Sequence, residues 1–210
     1  MPLQVLVLSL LLSAVIFSSN AIANSGEQIY QQCAACHGAN AEGNAQLKSP
    51  RLAGQFDWYL TRQLENFSKG LRGAHKDDAL GMQMTAMSQA LNYENDVPAL
   101  TAYLSKLESP KLADEVSGDL KNGSRYYQGK CGACHGGVGE GNKSFNAPKL
   151  AGLSSEYLKR QMDNFVSGIR GSHADDKLGK QMSMMAKIVS EKELNDILFF
   201  LSQQPANSNK

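Results

Sequence analysis

Cys33-Ala34-Ala35-Cys36-His37 returns later in the chain as Cys131-Gly132-Ala133-Cys134-His135. A C-x-x-C-H pentapeptide reads as a site of covalent c-type haem attachment, and its two copies use all 4 cysteines of the protein. Residues i and i+3 of a helical turn share a face, so both thiols of a pair reach one edge of a porphyrin and add to its two vinyl groups. The next residue, histidine, then sits beneath the iron and supplies its proximal nitrogen. A bare C-x-x-C also suits a redox dithiol or half of a zinc site. The adjacent histidine argues against the dithiol, and a zinc site made from both pairs would leave His37 and His135 without a role. The expectation is two covalent haem c groups, bound through Cys33, Cys36, Cys131 and Cys134 and ligated by His37 and His135. No cysteine is left over for a structural disulfide or a reactive thiol.

Working outward from the motif, Cys131 follows Cys33 by 98 residues, and the same offset relates long stretches of the two halves. Pro50-Arg51-Leu52-Ala53-Gly54 matches Pro148-Lys149-Leu150-Ala151-Gly152, and Leu71-Arg72-Gly73-Ala74-His75-Lys76-Asp77-Asp78 matches Ile169-Arg170-Gly171-Ser172-His173-Ala174-Asp175-Asp176. Near the end of each half the offset becomes 97, pairing Val97, Leu100, Tyr103 and Leu104 with Leu194, Ile197, Phe200 and Leu201. A one-residue deletion in the second copy's last turn accounts for that slip. The chain is a tandem duplication and not a solenoid.

Each copy reads as three helices joined by long loops, an all-α pattern without a strand signal. The first helix, from about 25 to 36 (119 to 134 in the second copy), delivers the motif. The second starts near Asp57 or Ser155, side chains suited to capping, keeps Tyr59, Leu60, Leu64 and Phe67 on one face, and can end at Gly70 or Gly168. The third starts near Asp96, tolerates Pro98 in its first turn and carries Leu100, Leu104 and Leu107. Residues 108–118, with Pro110 and little periodicity, read as a linker between a domain over 24–107 and another over 119–210.

Leu3 to Phe17 is an apolar run short for a membrane span, and it leads to Ala21-Ile22-Ala23, an A-x-A cleavage signature. Residues 1–23 therefore read as a secretory signal peptide removed before Asn24, although the first residues carry no lysine or arginine. Export agrees with the cysteines, because haem is joined to this motif outside the cytoplasm; a periplasmic address is expected. The mature length suits two domains of roughly ninety residues, small for self-sufficient cores, so the porphyrins are expected to supply buried apolar surface. With 21 Lys and Arg against 20 Asp and Glu, a net charge of +1, nothing points to nucleic acid.

The sixth iron position decides the chemistry. Methionine there makes an electron-transfer site of raised potential, whereas an open side admits small oxidants. Met84 and Met182 both stand 47 residues after their motif histidines, and Met87 and Met185 are aligned as well, so the repeat alone does not choose between the pairs. Met82 and Met184 have no counterparts. His75 and His173, the other two histidines, are the rival ligands, within a loop where hydrogen bonding is the simpler role. Arg72 and Arg170 are candidates for bidentate pairing with haem propionates.

With its two C-x-x-C-H units, paired Pro-x-Leu-Ala-Gly loops and the stretch Gln83-Met84-Thr85-Ala86-Met87, the chain resembles the two-domain di-haem class I cytochromes c, of the bacterial cytochrome c-four type. The resemblance implies two tandem all-α class I cytochrome c domains, each wrapping one haem and related by pseudo-twofold symmetry. It also implies that Met84 and Met182, seven residues before Leu91 and Val189, ligate the irons. The implied role is that of a periplasmic electron carrier, not an enzyme, between respiratory complexes and a terminal oxidase or reductase. A monomer is expected, free or loosely associated with the membrane. The competing readings are a di-haem redox enzyme, of peroxidase or thiosulfate-oxidising type, and a haem subunit of a larger oxidase complex. Mass spectrometry of the purified protein is expected to give a chain beginning at Asn24, heavier by two haems and without an alkylatable thiol. A chain beginning at Met1, or one carrying a single haem, contradicts these readings.

Overall fold

The computed structural model describes residues 25–108 and 113–206; the expected signal peptide and the middle of the expected linker lie outside the described residues. The first half contains four helices: α1 (Gly26–His37), α2 (Asp57–Ser68), α3 (Ala79–Gln89) and α4 (Asp96–Lys106). The second half repeats them. There α5 (Leu120–Tyr127) runs on through a π turn (Gln128–Gly132) into a last α turn (Ala133–His135), followed by α6 (Ser155–Ser167), α7 (Lys177–Lys187) and α8 (Glu191–Ser202). Among the described residues no strand is present, only the isolated bridges Asn44–Ser49 and Asn142–Ala147 in equivalent loops.

Each copy thus has four helices and not the expected three. The additional ones, α3 and α7, bury small residues, Gly81 and Ser88 in α3 and Gly179 and Ala186 in α7. Close approach of small side chains leaves no apolar stripe in the sequence for periodicity to detect. Asp78 and Asp176 cap the two helices by accepting hydrogen bonds from Gly81 N–H (2.9 Å) and Gly179 N–H (2.8 Å). The second helices start at Asp57 and Ser155 as expected, but those residues are not their caps. Ser154, not Ser155, caps α6 through its side chain, and α2 begins after Phe56, which makes no side-chain cap.

The first and last helices of each copy cross at a glycine. A Cβ on Gly26 would collide with the Ala99 carbonyl of α4, and one on Gly123 would collide with the Asp196 carbonyl of α8. These equivalent contacts are 97 residues apart at both ends, Gly26 to Gly123 and Ala99 to Asp196. Tyr30 and Tyr127, both fully buried, are likewise equivalent: their hydroxyls donate to the carbonyls of Gly38 and Gly136. The offset of 98 therefore applies only between the motif and the last turn. One extra residue enters the second copy between Tyr127 and Cys131, and the π turn at Gln128–Gly132 absorbs it, as π bulges in α-helices do. Lys130, within that turn, donates to Glu193 Oε2 (2.7 Å) and to the Ile188 carbonyl (2.9 Å), tying the bulge to the start of α8.

The two copies face one another through reciprocal contacts. Arg62 of α2 donates to the Asn146 carbonyl at 2.8 Å, and its equivalent Arg160 of α6 donates to the Lys48 carbonyl at 2.6 Å. Lys48 and Asn146 both hold a left-handed backbone, φ 55°, a conformation that is uncommon outside glycine. Each is gripped by the other domain's arginine, which gives the pseudo-twofold relation its structural content. Gln55 departs from it: it bonds Lys149 through both N–H (3.1 Å) and carbonyl (3.0 Å), whereas its counterpart, Leu153, is apolar. Because the glycine crossings leave no room, Gly26→Ala and Gly123→Ala are expected to destabilise the protein by about 1–3 kcal/mol each. Gly129→Ala, in the π turn with nothing within 4 Å of the added methyl, should shift stability by under about 1 kcal/mol. Guanidinium unfolding midpoints check all three.

Candidate functional site

Two cavities occupy equivalent places in the two domains. Counted out to their mouths they enclose about 1520 Å³ in the first domain and 1480 Å³ in the second. Cys33, Cys36, His37, Met84 and Met87 line the first, and Cys131, Cys134, His135, Met182 and Met185 line the second. The rest of each wall is mainly apolar, including Leu60, Phe67 and Leu100 in one and Leu158, Phe165 and Ile197 in the other. The structure thus brings the motif cysteines and histidines, both aligned methionine pairs, and Arg72 and Arg170 to the cavities of their own domains, but not His75 and His173.

The motif histidines are oriented by a matched hydrogen bond. His37 Nδ1 lies 2.9 Å from the Pro50 carbonyl and His135 Nδ1 lies 2.9 Å from the Pro148 carbonyl. A carbonyl only accepts, so Nδ1 carries the proton and Nε2 keeps its lone pair for the cavity, the arrangement typical of metal-binding histidine. Burial pushes both imidazoles below their ordinary pKa, which keeps them neutral and able to ligate. The loops that supply the two carbonyls leave the helices at Gly38 (φ 86°) and Gly136 (φ 82°), where a side chain would meet the Glu42 or Glu140 carboxylate. Burial also raises the thiols of Cys33 and Cys131 to about 11. Such thiols are poorly ionised and unsuited to the work of an activated nucleophile.

These residues fit a covalent haem on donor chemistry alone. Each cavity offers two thiols and an imidazole lone pair from one helix, thioethers from another, and an apolar lining wide enough for a macrocycle. The zinc alternative is not supported: the two cysteine pairs open into separate cavities, and among the described residues no cluster of three or more His, Cys, Asp or Glu side chains is arranged to hold a metal. His75 and His173 line neither cavity. Their Nδ1 atoms accept the backbone N–H of Asp77 and Asp175 at 3.2 Å, on exposed loops.

The wall between the cavities was not legible as such in the sequence. Tyr59, Gln63, Tyr157 and Gln161 line both cavities. Arg72 donates to Gln63 of its own domain at 2.7 Å, and to Gln161 (3.0 Å) and Tyr157 (3.2 Å) of the other. Arg170 donates to its own Gln161 at 2.7 Å and to Gln63 across the interface at 3.1 Å. Both guanidiniums also stack on a phenylalanine, Arg72 on Phe67 and Arg170 on Phe165, each at 4.5 Å from the ring centre. Every one of these partners is uncharged, so the pair presents net positive charge that suits haem carboxylates. The only trace in sequence is that arginine and glutamine recur at the same offset.

Comparison with known proteins agrees with this geometry. The family model described as "Cytochrome c" matches residues 23–108 and again 120–205. The chain is 31% identical over 205 residues to the "Thiosulfate dehydrogenase electron acceptor" of Stutzerimonas stutzeri strain A1501, covering 88% of each protein. It is 29% identical over 180 residues to cytochrome c4 of Azotobacter vinelandii, covering 80% of this chain and 82% of that one. Among solved structures, reduced recombinant cytochrome c4 from Pseudomonas stutzeri superposes with a TM-score of 0.68 at 27% identity, covering 86% of this chain and 97% of that one. If the cofactors complete the two cores, protein in which attachment is blocked (all four cysteines changed to alanine) should lose most of its far-ultraviolet helical signal. A native-like signal from that apo-protein contradicts this.

Proposed function

This chain belongs to the cytochrome c family, and from that footing we propose that it is a di-haem electron carrier, periplasmic in location, which passes single electrons between redox proteins and turns over no substrate of its own. It holds two covalent haem c groups, one in each of two tandem all-α domains, which we take as residues 24–107 and 119–210 joined by the linker 108–118. The observation that carries the reading is the near-identity of the two cavities: each pairs an oriented imidazole with thioethers from a second helix. A redox enzyme needs one iron left open beside acid–base groups, and neither cavity differs from its twin in that way.

A haem bound in either cavity supplies one-electron exchange between Fe(III) and Fe(II). Cys33 with Cys36, and Cys131 with Cys134, fix one edge of the ring. His37 and His135 present Nε2 to the iron, held in the correct tautomer by Pro50 and Pro148. Met84 and Met182 are the proposed second ligands; Met84 is partly covered where Met87 is 40% exposed, while Met182 and Met185 are both partly covered and the assignment there follows the repeat. Apolar walls such as Leu60 and Leu158 would limit rearrangement around a bound haem when its charge changes and would exclude water from it. Support for export comes from the apolar run and the A-x-A signature at its end, and among the described residues no helix is long and apolar enough to cross a membrane.

The partners we assign are a respiratory complex as donor and a terminal oxidase or reductase as acceptor. Because two relatives are named electron acceptors of thiosulfate dehydrogenase, a sulfur-oxidising dehydrogenase is a second candidate donor. The ferric protein should show the weak far-red charge-transfer band of a methionine–iron bond. Met84→Ala and Met182→Ala should each remove about half of that band and lower one reduction potential, whereas Met87→Ala and Met185→Ala leave both unchanged. Loss of the band in the latter pair instead would reassign the ligands.

A further inference from the structure

The bridge between the cavities is not two separate arginine sites but one crossed unit. Gln63 Oε1 accepts from Arg72 at 2.7 Å and from Arg170 at 3.1 Å, and Gln161 Oε1 accepts from Arg170 at 2.7 Å and from Arg72 at 3.0 Å. Each amide oxygen therefore holds one guanidinium from each domain, and each guanidinium is held by both domains. Two like charges brought this close in a partly buried wall repel one another; among the described residues the groups hydrogen-bonded to them are neutral, and the Asp78 carboxylate is near enough to act on Arg72 through its charge. Both glutamines line both cavities; Arg72 lines the first and Arg170 the second.

The unit is symmetric except at one atom. The Tyr157 hydroxyl oxygen accepts a hydrogen bond from Arg72 at 3.2 Å. Its equivalent, Tyr59, makes no such bond to Arg170, although the two rings are otherwise matched, with Arg62 over Tyr59 at 5.4 Å and Arg160 over Tyr157 at 5.5 Å.

We propose that Arg72 and Arg170, cross-braced by Gln63 and Gln161, are a single positive element common to both cavities, so that each arginine raises the reduction potential of both haems, and that Tyr157 makes the element one-sided and helps to set the two potentials apart. The argument rests on the di-haem reading above. Adding one electron to a cavity makes it more negative by one charge, with no bond formed or broken, and a fixed cation nearby favours that state. The field of a cation falls with distance and takes no account of the domain that carries it; bonded to glutamines that line both cavities, each guanidinium lies close to both. Arg72, Arg170, Gln63, Gln161 and Tyr157 are positioning residues in this sense, and none touches the iron.

The test is a spectroelectrochemical titration of the holoprotein, with the electron supplied by an electrode through mediators. Two haems and two one-electron waves in the parent protein are the precondition; fewer would count against the carrier reading itself and not against the bridge. Arg72→Gln is expected to lower both waves, each one-electron constant falling about tenfold, which is about 59 mV. Arg72→Lys, which keeps the charge, should restore most of that shift. Movement of one wave alone, or of neither, overturns the proposal. Tyr157→Phe should narrow the separation between the waves while Tyr59→Phe leaves it unchanged. If Arg72→Gln does not yield holoprotein, this tyrosine pair decides: an unaltered separation in Tyr157→Phe overturns the proposal.

Discussion

The bond from His37 Nδ1–H to the Pro50 carbonyl, with its copy from His135 to Pro148, is the constraint on which the rest of each domain depends. A histidine can serve the iron only if the other ring nitrogen carries the proton and the ring cannot swing. To supply that carbonyl the chain after the motif must double back within thirteen residues. It does so through a left-handed glycine at 38 or 136, a carboxylate from Glu42 or Glu140 bonded to backbone N–H groups, and the Asn44–Ser49 or Asn142–Ala147 bridge. Tyr30 and Tyr127 then bond the carbonyl of that glycine and lock the loop to the motif helix. A stretch that reads as loose, rich in Gly, Asn and Lys, is thus a rigid bracket for one imidazole.

Duplication lets two such brackets face each other, and the two copies agree most closely where the cofactor and the interface need them to. Arg62 and Arg160, Lys48 and Asn146, Arg72 and Arg170, Gln63 and Gln161 all meet across the pseudo-twofold relation. Two differences break the match: the π turn, which includes Cys131 and carries Lys130 bonded to Glu193, and Gln55 facing Lys149 where the other side has Leu153. Lys130 and its neighbour Ser190 hold the Glu193 carboxyl down to about 2, so this staple is an ion pair at any physiological pH. Two cavities alike in ligands and size suit a molecule that stores and forwards electrons, and the asymmetries offer a way for the two haems to differ in potential without one of them opening to substrate.

Much of this was readable from residues alone. Two C-x-x-C-H motifs, a fixed offset and three periodic helices per copy were enough for an all-α tandem architecture and for the cysteine and histidine positions. The helices α3 and α7 were not, because they bury Gly81, Ser88, Gly179 and Ala186 and direct Met84 and Met182 toward a cavity, so their apolar residues trace no stripe. The π turn was hidden for a different reason. The offset counted from the cysteines conceals it, because the compensating slip upstream, from Tyr30 to Tyr127, shows only when the buried tyrosines are matched through their hydrogen bonds. The crossed arginines and glutamines were visible as repeats, but a repeat does not say whether a residue faces solvent, its own cofactor or its twin.

The central claim is that both irons are closed by protein ligands and that the molecule carries electrons without transforming a substrate. Carbon monoxide added to the fully reduced holoprotein tests this most directly, since it binds ferrous haem only where the sixth position is open or readily vacated. The account predicts an unchanged absorption spectrum and two electrons released per chain on reoxidation. A carbon monoxide complex at either haem would contradict it.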